Sequence, residues 1–482
     1  MSQTKPYPLP ITGVDTLSSE TALVNGAVRS AVNVDIGRAG RFKRRAGYTR
    51  RVAHPGMHSL FYAAQKGWTL VARDSALYQL DISTYSLTPL AALSSPDKLE
   101  YTEYNGNLYF SNKTTIGWVP SDSTMARPVG VPVPTTPTLS AAAGGLTPGK
   151  YGVAITFVDD RGEEGGATEL QVIDLPDGGG IRLANLPQQL GWRVFVYITS
   201  ADGDVLRWAA ELPAVFPTYV VAETAQGGQL DTRFLTPLPA GDFICWHNGR
   251  LYTAKNGALY FSEAMRPHLH NPAHNVIPFS GHIAFVESVS DGLYVGDSRG
   301  VWFLSGNDPA KFEQRRVSSC RAVVRSSIMV PPEHFPPKQV PVDSPVAVWL
   351  STSGYVVGMP GGTTVELQPD RLKVPSGLVG RSAFLLREGR KQVVTPVTPR
   401  PRRPSEPLST LSSREGEIPC LIVICRSTPA SSVATCVTAS SKSPTMVAST
   451  SPAPLPSRRV AISTMSTVST SGSTRTCCPT KA

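Results

Sequence analysis

The sequence is poor in charged residues, in cysteine and in long apolar runs, and each shortage excludes a class of protein. Only 17% of the 482 residues are charged, which leaves little material for long amphipathic helices. No apolar run approaches the ~20 residues that cross a bilayer, so we expect no membrane insertion. Only Cys245 and Cys320 precede residue 396, too few for a disulfide framework. The first residues lack an apolar signal segment, so we expect synthesis in the cytoplasm.

Turn-forming residues are abundant instead. The chain holds 43 Pro and 41 Gly, a content typical of many short strands joined by turns. We therefore expect an all-β fold, and the length allows two or three domains.

One short phrase recurs along the chain. Close copies read NGNLYFS, NGRLY and NGALYFS, at 105–111, 248–252 and 256–262. Looser copies lie at 73–78, 291–295 and 298–303. Asn-Gly supplies the two positive φ angles of a type I′ hairpin turn, and Leu-Tyr-Phe suits the returning strand. Because the phrase itself repeats, and not only the alternation of apolar residues, we favour a β-propeller over an ordinary β-sandwich.

Changes in composition divide the chain. Residues 1–30 are polar and contain proline, which predicts an extended arm. A proline-rich linker starts at Pro128, and residues 128–223 then show strands every eight to twelve residues with turn signals between them, as in a β-sandwich. Hairpin phrases resume after this module. The sandwich is therefore predicted as an insertion in a discontinuous β-propeller-like domain, residues 31–127 and 224–395.

Residues 396–482 have a different character. They contain no aromatic residue, and about half of them are Ser, Thr or Pro, so we predict a disordered low-complexity tail. The tail carries ten basic and three acidic residues, which leaves a net charge of only +3 for residues 1–395. The change is abrupt, and we favour a shift of translation frame near Thr395 over a natural tail.

A hairpin is predicted around residues 34–48, because Val34 and Ile36 alternate with polar residues and a Gly-containing turn follows. Five basic residues cluster in it: Arg38, Arg41, Lys43, Arg44 and Arg45. The cluster is either a solvated hairpin face or a contact with phosphate or an acidic partner subunit. These five residues are the interface candidates.

The sequence shows no catalytic signature. It lacks a Gly-x-Ser-x-Gly elbow, a phosphate-binding loop and a His-Glu-x-x-His motif. His268, His270 and His274 have a spacing that metals use, but two prolines place them in a loop without a completing ligand. The acidic run 159–164 is more typical of a solvated hairpin tip than of a calcium site. We therefore predict no catalytic residue, no cofactor and no metal, and no enzyme activity.

Two resemblances follow from these phrases. In the inserted module, Tyr151 and Phe157 on one strand and VFVY at 194–197 on another resemble a fibronectin type III module. The segments 33–48, 248–262, 290–306 and 349–362 together resemble the propeller-type tail proteins of short-tailed bacteriophages, the nozzle or packaged-DNA-stabilisation group. This likeness covers most of residues 30–395 and does not extend into the tail.

The phage resemblance implies a structural virion protein made in the bacterial host cytoplasm and located in the virion tail. Such proteins form rings of about six copies below the portal, where they close or extend the DNA channel. The implied partners are further copies of the chain, the portal or an adaptor, other tail proteins, and passing double-stranded DNA that is not tightly bound.

Two other functions stay open. A glycan- or receptor-binding tail protein would use exposed aromatic residues such as Trp68, Trp118 or Trp208. A propeller glycoside hydrolase needs two carboxylates that meet only in space, although the sialidase box Ser-x-Asp-x-Gly-x-Thr-Trp is absent. A virion protein would assemble into rings and form no product. A glycan-binding protein would bind polysaccharide as isolated subunits, and a hydrolase would lose its activity when one carboxylate is replaced.

Overall fold

The computed structural model describes residues 13–24, 26–31, 34–36, 42–44, 49–52, 54–306, 308–335, 340–367, 371–387, 390–399, 420–426 and 437–441. Strands make up 48% of the described residues and helices 3%, so the predicted all-β fold is confirmed. The described helices are 3-10 turns of three residues: Glu20–Ala22, Pro309–Lys311, Pro332–His334 and Pro360–Gly362. None of the helices in these ranges is long and apolar enough to cross a membrane.

The N-terminal arm folds back on itself. Strand β1 (Gly13–Val14) pairs in parallel with β2 (Ala27–Val28), so the described part of the predicted arm is not simply extended. Two hydrogen bonds attach it to a distant segment, from Thr16 N to Arg371 O and from Lys373 N to Thr16 Oγ1, each 2.9 Å long. The predicted hairpin then follows as β3 (Val34–Ile36) and β4 (Phe42–Arg44), which pair antiparallel.

Two four-stranded antiparallel meanders follow, which we call sheets 1 and 2. Sheet 1 contains β5 (Met57–Ala63), β6 (Trp68–Arg73), β7 (Ala76–Leu80) and β8 (Leu87–Ala92). Sheet 2 contains β9 (Glu100–Tyr104), β10 (Asn107–Ser111), β11 (Ile116–Val119) and β12 (Arg127–Pro128).

The hairpin phrase forms the turn that the sequence predicts at two places. Asn105 and Gly106 have φ angles of 48° and 76°, and Asn248 and Gly249 have φ angles of 44° and 76°. Two consecutive positive φ angles are the type I′ geometry. At the third close copy only Asn256 has a positive φ, so that turn is of another type.

Seven strands between sheets 2 and 3 form two facing sheets. A three-stranded sheet of order β13-β16-β19 contains β13 (Thr138–Leu146), β16 (Gly179–Ala184) and β19 (Thr218–Val221). A four-stranded sheet of order β15-β14-β17-β18 contains β14 (Gly149–Val158), β15 (Gln171–Leu175), β17 (Arg193–Ile198) and β18 (Arg207–Pro213). Both sheets contribute to one buried cluster that includes Ile181, Leu183, Ile155 and Val196. We call this unit the sandwich.

Three further four-stranded antiparallel meanders follow the sandwich. Sheet 3 contains β20 (Phe243–His247), β21 (Arg250–Lys255), β22 (Ala258–Phe261) and β23 (Val276–Pro278). Sheet 4 contains β24 (Phe285–Val289), β25 (Gly292–Gly296), β26 (Val301–Ser305) and β27 (Glu313–Ser318). Sheet 5 contains β28 (Ile328–Val330), β29 (Val346–Ser351), β30 (Gly354–Gly358) and β31 (Thr364–Glu366).

Sheet 6 crosses the boundary predicted at residue 396. It contains β32 (Leu378–Gly380), β33 (Ala383–Arg387), β34 (Arg390–Pro399), β35 (Cys420–Arg426) and β36 (Val437–Ser441). Strand β34 runs through the boundary, and Val397 is buried. Two stretches expected to be disordered are therefore strands, because their backbones continue the ladder next to β34. The rest of the predicted tail lies outside the described residues.

Consecutive sheets share buried apolar clusters. The clusters combine Leu77 with Leu108 in sheets 1 and 2, Trp118 with Ile244 in sheets 2 and 3, Phe261 with Phe303 and Trp349 in sheets 3, 4 and 5, and Val348 with Val397 in sheets 5 and 6. The first strands also lie next to one another, since β9 contacts β5 and β20, and β20 contacts β24. The sheets thus succeed one another in space in the order of the chain.

Candidate functional site

Charged residues on or beside sheets 2, 3, 4, 5 and 6 meet near the first strands of these sheets. We call Glu100, Asp242, Glu287, Arg325 and Arg381 the central charge cluster. Glu100 lies on β9, Asp242 directly before β20, and Glu287 on β24. Arg325 precedes β28, and Arg381 lies between β32 and β33. Because each residue belongs to a different sheet, the cluster forms only when the sheets assemble.

Arg325 is the most deeply buried member of the cluster, with 8% of the residue exposed. Its Nη1 donates to Glu100 Oε1 at 2.7 Å, and its Nη2 donates to the backbone oxygen of Asp242 at 3.1 Å. The guanidinium also lies 5.0 Å from the centre of the Phe243 ring, a cation–π geometry. These contacts join the starts of sheets 2, 3 and 5.

The second guanidinium, that of Arg381, donates to both carboxylate oxygens of Glu100. Glu100 therefore accepts from two arginines, and its side chain is 15% exposed, whereas that of Arg381 is 41% exposed. The carboxylate raises the pKa of Arg381, as expected for a cation beside an anion.

The backbone of Arg325 is held in an unusual conformation. Its φ is 62°, which a residue with a Cβ rarely adopts. Its N–H donates to Ala284 O at 2.9 Å, and the hydroxyl of buried Ser326 donates to Val323 O at 2.7 Å. Such strain persists where the surroundings over-determine it, so the turn fixes the guanidinium in the cluster.

The remaining acid, Glu287, has a shifted protonation equilibrium. Burial raises the pKa of Glu287 to about 7, with a smaller contribution in the same direction from Glu100. A contact with Ser327 and the charge of Arg381 oppose the shift. The cluster thus contains one carboxyl group that changes charge near neutral pH.

The chemistry of the cluster is electrostatic cross-linking. Burial of a charge is costly unless the charge is paired and hydrogen-bonded, and Glu100 and Arg325 satisfy each other. The Glu100 carboxylate accepts hydrogen bonds from both guanidinium groups, so its oxygens are occupied within the chain. The arrangement therefore fits a mechanical role in holding the sheets together.

The structure describes part of the predicted interface set. Lys43 and Arg44 lie on β4, are exposed, and pair across the hairpin with Asp35 and Val34. Arg38, Arg41 and Arg45 lie outside the described residues.

The three histidines of the predicted loop lie in separate surroundings. His268 Nδ1 is 3.8 Å from Glu163 Oε1, and His270 Nδ1 is 2.9 Å from Phe261 O, while His274 is exposed. Burial lowers the pKa of His268 to about 4, so its contact with Glu163 is not an ion pair at neutral pH. Within the described ranges, no three His, Cys, Asp or Glu side chains are grouped as a metal requires.

The acidic run 159–164 stabilises its own turn and the junction between the sandwich and sheet 2. Asp159 Oδ1 accepts from the N–H groups of Arg161 and Glu163 at 2.9 Å. The Asp160 carboxylate accepts from Arg127. The run was predicted as a solvated hairpin tip, and these hydrogen bonds show that Asp159 and Asp160 also have partners within the chain.

The expectation of exposed tryptophans is wrong for Trp118. Its ring stacks on Tyr109 with centroids 5.8 Å apart and is covered by Arg161, and it is buried. Trp68 is half-buried with the Lys66 ammonium above its ring. Trp208 is exposed, as expected.

The sequence signals pointed away from the central charge cluster. Arg325 lies in the stretch 318–344, which carries none of the repeated hairpin phrases, yet Arg325, Ser326 and Val330 are buried. Residues 331–335 are not strand, in agreement with their prolines. The only local signal was a charged residue beside buried apolar ones, as in Leu99-Glu100-Tyr101.

Comparisons with known proteins add little. No family model matches the chain, and no curated protein matches it. Among solved structures, Kluyveromyces lactis Hsv2 is 10% identical, with 71% of this chain and 89% of that chain covered and a TM-score of 0.25. Saccharomyces cerevisiae Sqt1 is also 10% identical, with 71% of this chain and 78% of that chain covered and a TM-score of 0.28. An extracellular domain of a two-component system from B. thetaiotaomicron is 8% identical, with 70% of this chain covered and a TM-score of 0.26. This chain spans 38% of the length of that one. Similarities this weak carry no argument about function.

Proposed function

We propose that the chain is a structural component of a bacteriophage tail and not an enzyme. In this proposal sheets 1–6 are the blades of a β-propeller, with β5, β9, β20 and β24 among the innermost strands. The chain forms a ring with further copies of itself, next to the portal or an adaptor, and lines or closes the DNA exit channel. The resemblance of the hairpin phrases suggests the tail-protein class.

The observation that carries the scaffold role is the pairing of Glu100 with Arg325 and Arg381. It joins the starts of sheets 2, 5 and 6, and Arg325 extends the connection to sheet 3. A wall that conducts DNA must keep its shape and must not hold phosphates tightly, or the passing duplex would be arrested. Arginines already occupied by a carboxylate fulfil both requirements better than free arginines would.

The test is the assembly state of the purified protein together with an activity assay. We expect closed rings of about six copies by light scattering and negative-stain electron microscopy. We also expect no release of sugar from host polysaccharide. A monomer that binds or cleaves polysaccharide, and loses this activity when one carboxylate is replaced, would contradict the proposal and favour one of the alternatives.

A further inference from the structure

Two regions of the chain carry opposite charge. Residues 128–223, which include the sandwich, contain eleven acidic and five basic residues, a net charge of −6. Residues 1–55, which include the β3–β4 hairpin, contain nine basic and three acidic residues, a net charge of +6. Charges of the two signs are thus separated into two regions of the chain.

The acidic residues of the sandwich fall into two groups at opposite ends of β14. Near Val158, the run 159–164 is hydrogen-bonded within the chain, as described above. Near Gly149 lie four exposed acidic residues: Asp174, Asp177, Asp202 and Asp204. Within the described residues none of these four makes an ion pair. Strand β14 has ten residues, so about 30 Å separates the two groups.

The second group borders an apolar surface. On the outer face of the four-stranded sandwich sheet, buried Leu206 and Leu230 cover the centre. Val172, Val205 and Trp208 around them remain 64%, 39% and 36% exposed. We call this surface, with Asp174 and Asp204 at its border, the distal face. An exposed tryptophan with apolar neighbours and a charged border is typical of a protein interface.

The basic hairpin lies far from the sandwich of its own chain. Strand β3 contacts β36, the last strand of sheet 6. The sandwich lies between sheets 2 and 3 in the sequence. At the junction with sheet 2, the Asp160 carboxylate accepts hydrogen bonds from Arg127. Because the sheets pack in chain order, two others, sheets 4 and 5, separate sheet 6 from sheet 3. The hairpin and the distal face therefore lie on different sides of the subunit.

We propose that the distal face binds the basic N-terminal region of a second copy of this chain, with Lys43 and Arg44 opposite Asp174 and Asp204. The inference rests on the proposed ring and names the contact that closes it. A ring requires a heterologous contact between two different faces of the subunit. Opposite charges increase the rate of association and fix its register, while Val172, Val205 and Trp208 supply the apolar area that is removed from water.

The test exchanges the two charges in the full chain. One variant carries Lys43→Glu and Arg44→Glu, and the other carries Asp174→Lys and Asp204→Lys. Asp202 is left unchanged, because its carboxylate accepts the backbone N–H of Lys150. Each variant alone places like charges across the contact, so we expect the association constant to fall at least tenfold by light scattering. The two variants mixed, or all four substitutions in one chain, should restore assembly.

Matched controls reverse exposed charges elsewhere, with Lys255→Glu on β21 and Glu313→Lys on β27. They should assemble like the wild type, and circular dichroism should show all variants folded. Trp208→Ala should weaken assembly without any change of charge.

Rings that persist in both charge variants, or a four-substitution chain no better than the single variants, would overturn the inference and leave the proposed function standing. A wild-type protein that is monomeric at every concentration would overturn both. Normal rings together with particles that lack tails would assign the hairpin to another virion protein and exclude a second copy.

Discussion

Arg325 and Glu100 are 225 residues apart in the chain, yet Arg325 Nη1 lies 2.7 Å from Glu100 Oε1. This bond joins sheet 5 to sheet 2 without any shared strand, and Arg381 adds sheet 6 through the same carboxylate. Apolar contacts between meanders are local to neighbouring sheets, whereas this contact acts across the assembly. This ion pair is therefore relevant to the cooperativity with which the sheets unfold.

Replacement of Glu100 by glutamine should destabilise the protein strongly. The substitution leaves the buried guanidinium of Arg325 without its carboxylate, and removal of one partner from a buried pair costs about 3–5 kcal/mol. Urea unfolding followed by tryptophan fluorescence measures the change. Glu313→Gln on exposed β27 is the matched control and should be neutral within error. Equal effects of the two substitutions would show that the central charge cluster does not hold the sheets together.

The pH dependence of stability should contain a contribution from Glu287. Its pKa is about 7 in the folded chain and 4.5 as the ordinary value, because burial disfavours the charged form. Between these values the folded state binds more protons than the unfolded state, so this contribution to stability is present below pH 4.5 and is lost as the pH rises to 7. Glu287→Gln should therefore gain stability relative to the wild type across this window. Parallel unfolding curves from pH 5 to 8 would contradict the assignment.

His268 should give the opposite slope. Burial, assisted by the charge of Arg266, lowers the pKa of His268 to about 4 from 6.5. The unfolded state then binds more protons between pH 4 and 6.5, so stability falls as the pH falls through this window. The neighbouring Glu163 has a raised pKa, again through burial, and opposes the effect in its lower part. His268→Gln should flatten the slope between pH 6.5 and 5, as thermal melts would show, whereas the exposed His274→Gln should not.

Local signals explain how much of the fold could be predicted. A type I′ turn depends on two adjacent residues, so Asn105-Gly106 and Asn248-Gly249 were identifiable. The central charge cluster was not, because its members are isolated charges whose meeting depends on the packing of whole sheets. The burial of Trp118 likewise depends on Arg161, a residue of the inserted sandwich, and an isolated pattern cannot show it.

The boundary predicted at residue 396 illustrates a second limit. Composition changes there, but the hydrogen bonds of β34 continue to Pro399. Thr395 is fully buried and bonds to Tyr355 and Ser382 at 2.7 Å. Strand pairing depends on the neighbouring strand, which composition does not report.

Truncation after Thr395 should consequently lower the melting temperature by several degrees. It removes buried Val397, worth about 1.5–3 kcal/mol, and the partner of β32. Truncation after Ser441 is the matched control, and we expect no change from it, since residues 442–482 contain no aromatic side chain to bury. Equal melting temperatures for the two truncations would favour the boundary at 396. Sequencing across codon 395 tests the frame shift separately.

The sandwich should fold alone, but better with an extension that the sequence did not indicate. Its core lies within the predicted range 128–223, yet Leu230 covers Leu206 on the outer face. The backbone beyond the range also pairs with the sandwich, from Trp208 N to Gly228 O at 2.9 Å and from Leu230 N to Leu206 O at 3.0 Å. The fragment 128–223 lacks Leu230, so the side chain of Leu206 becomes exposed, and burial of one leucine side chain is worth about 1.5–3 kcal/mol.

We therefore expect the fragment 128–235 to melt cooperatively with a β spectrum, and the fragment 128–223 to melt at a lower temperature. Leu230→Ala in the longer fragment should account for much of the difference, because it removes the apolar cover but keeps the backbone bonds. Circular dichroism of the three proteins measures both effects. A disordered spectrum for the longer fragment would mean that the sandwich depends on its contact with Arg127. Equal melting temperatures of the two fragments would mean that the extension contributes no stability.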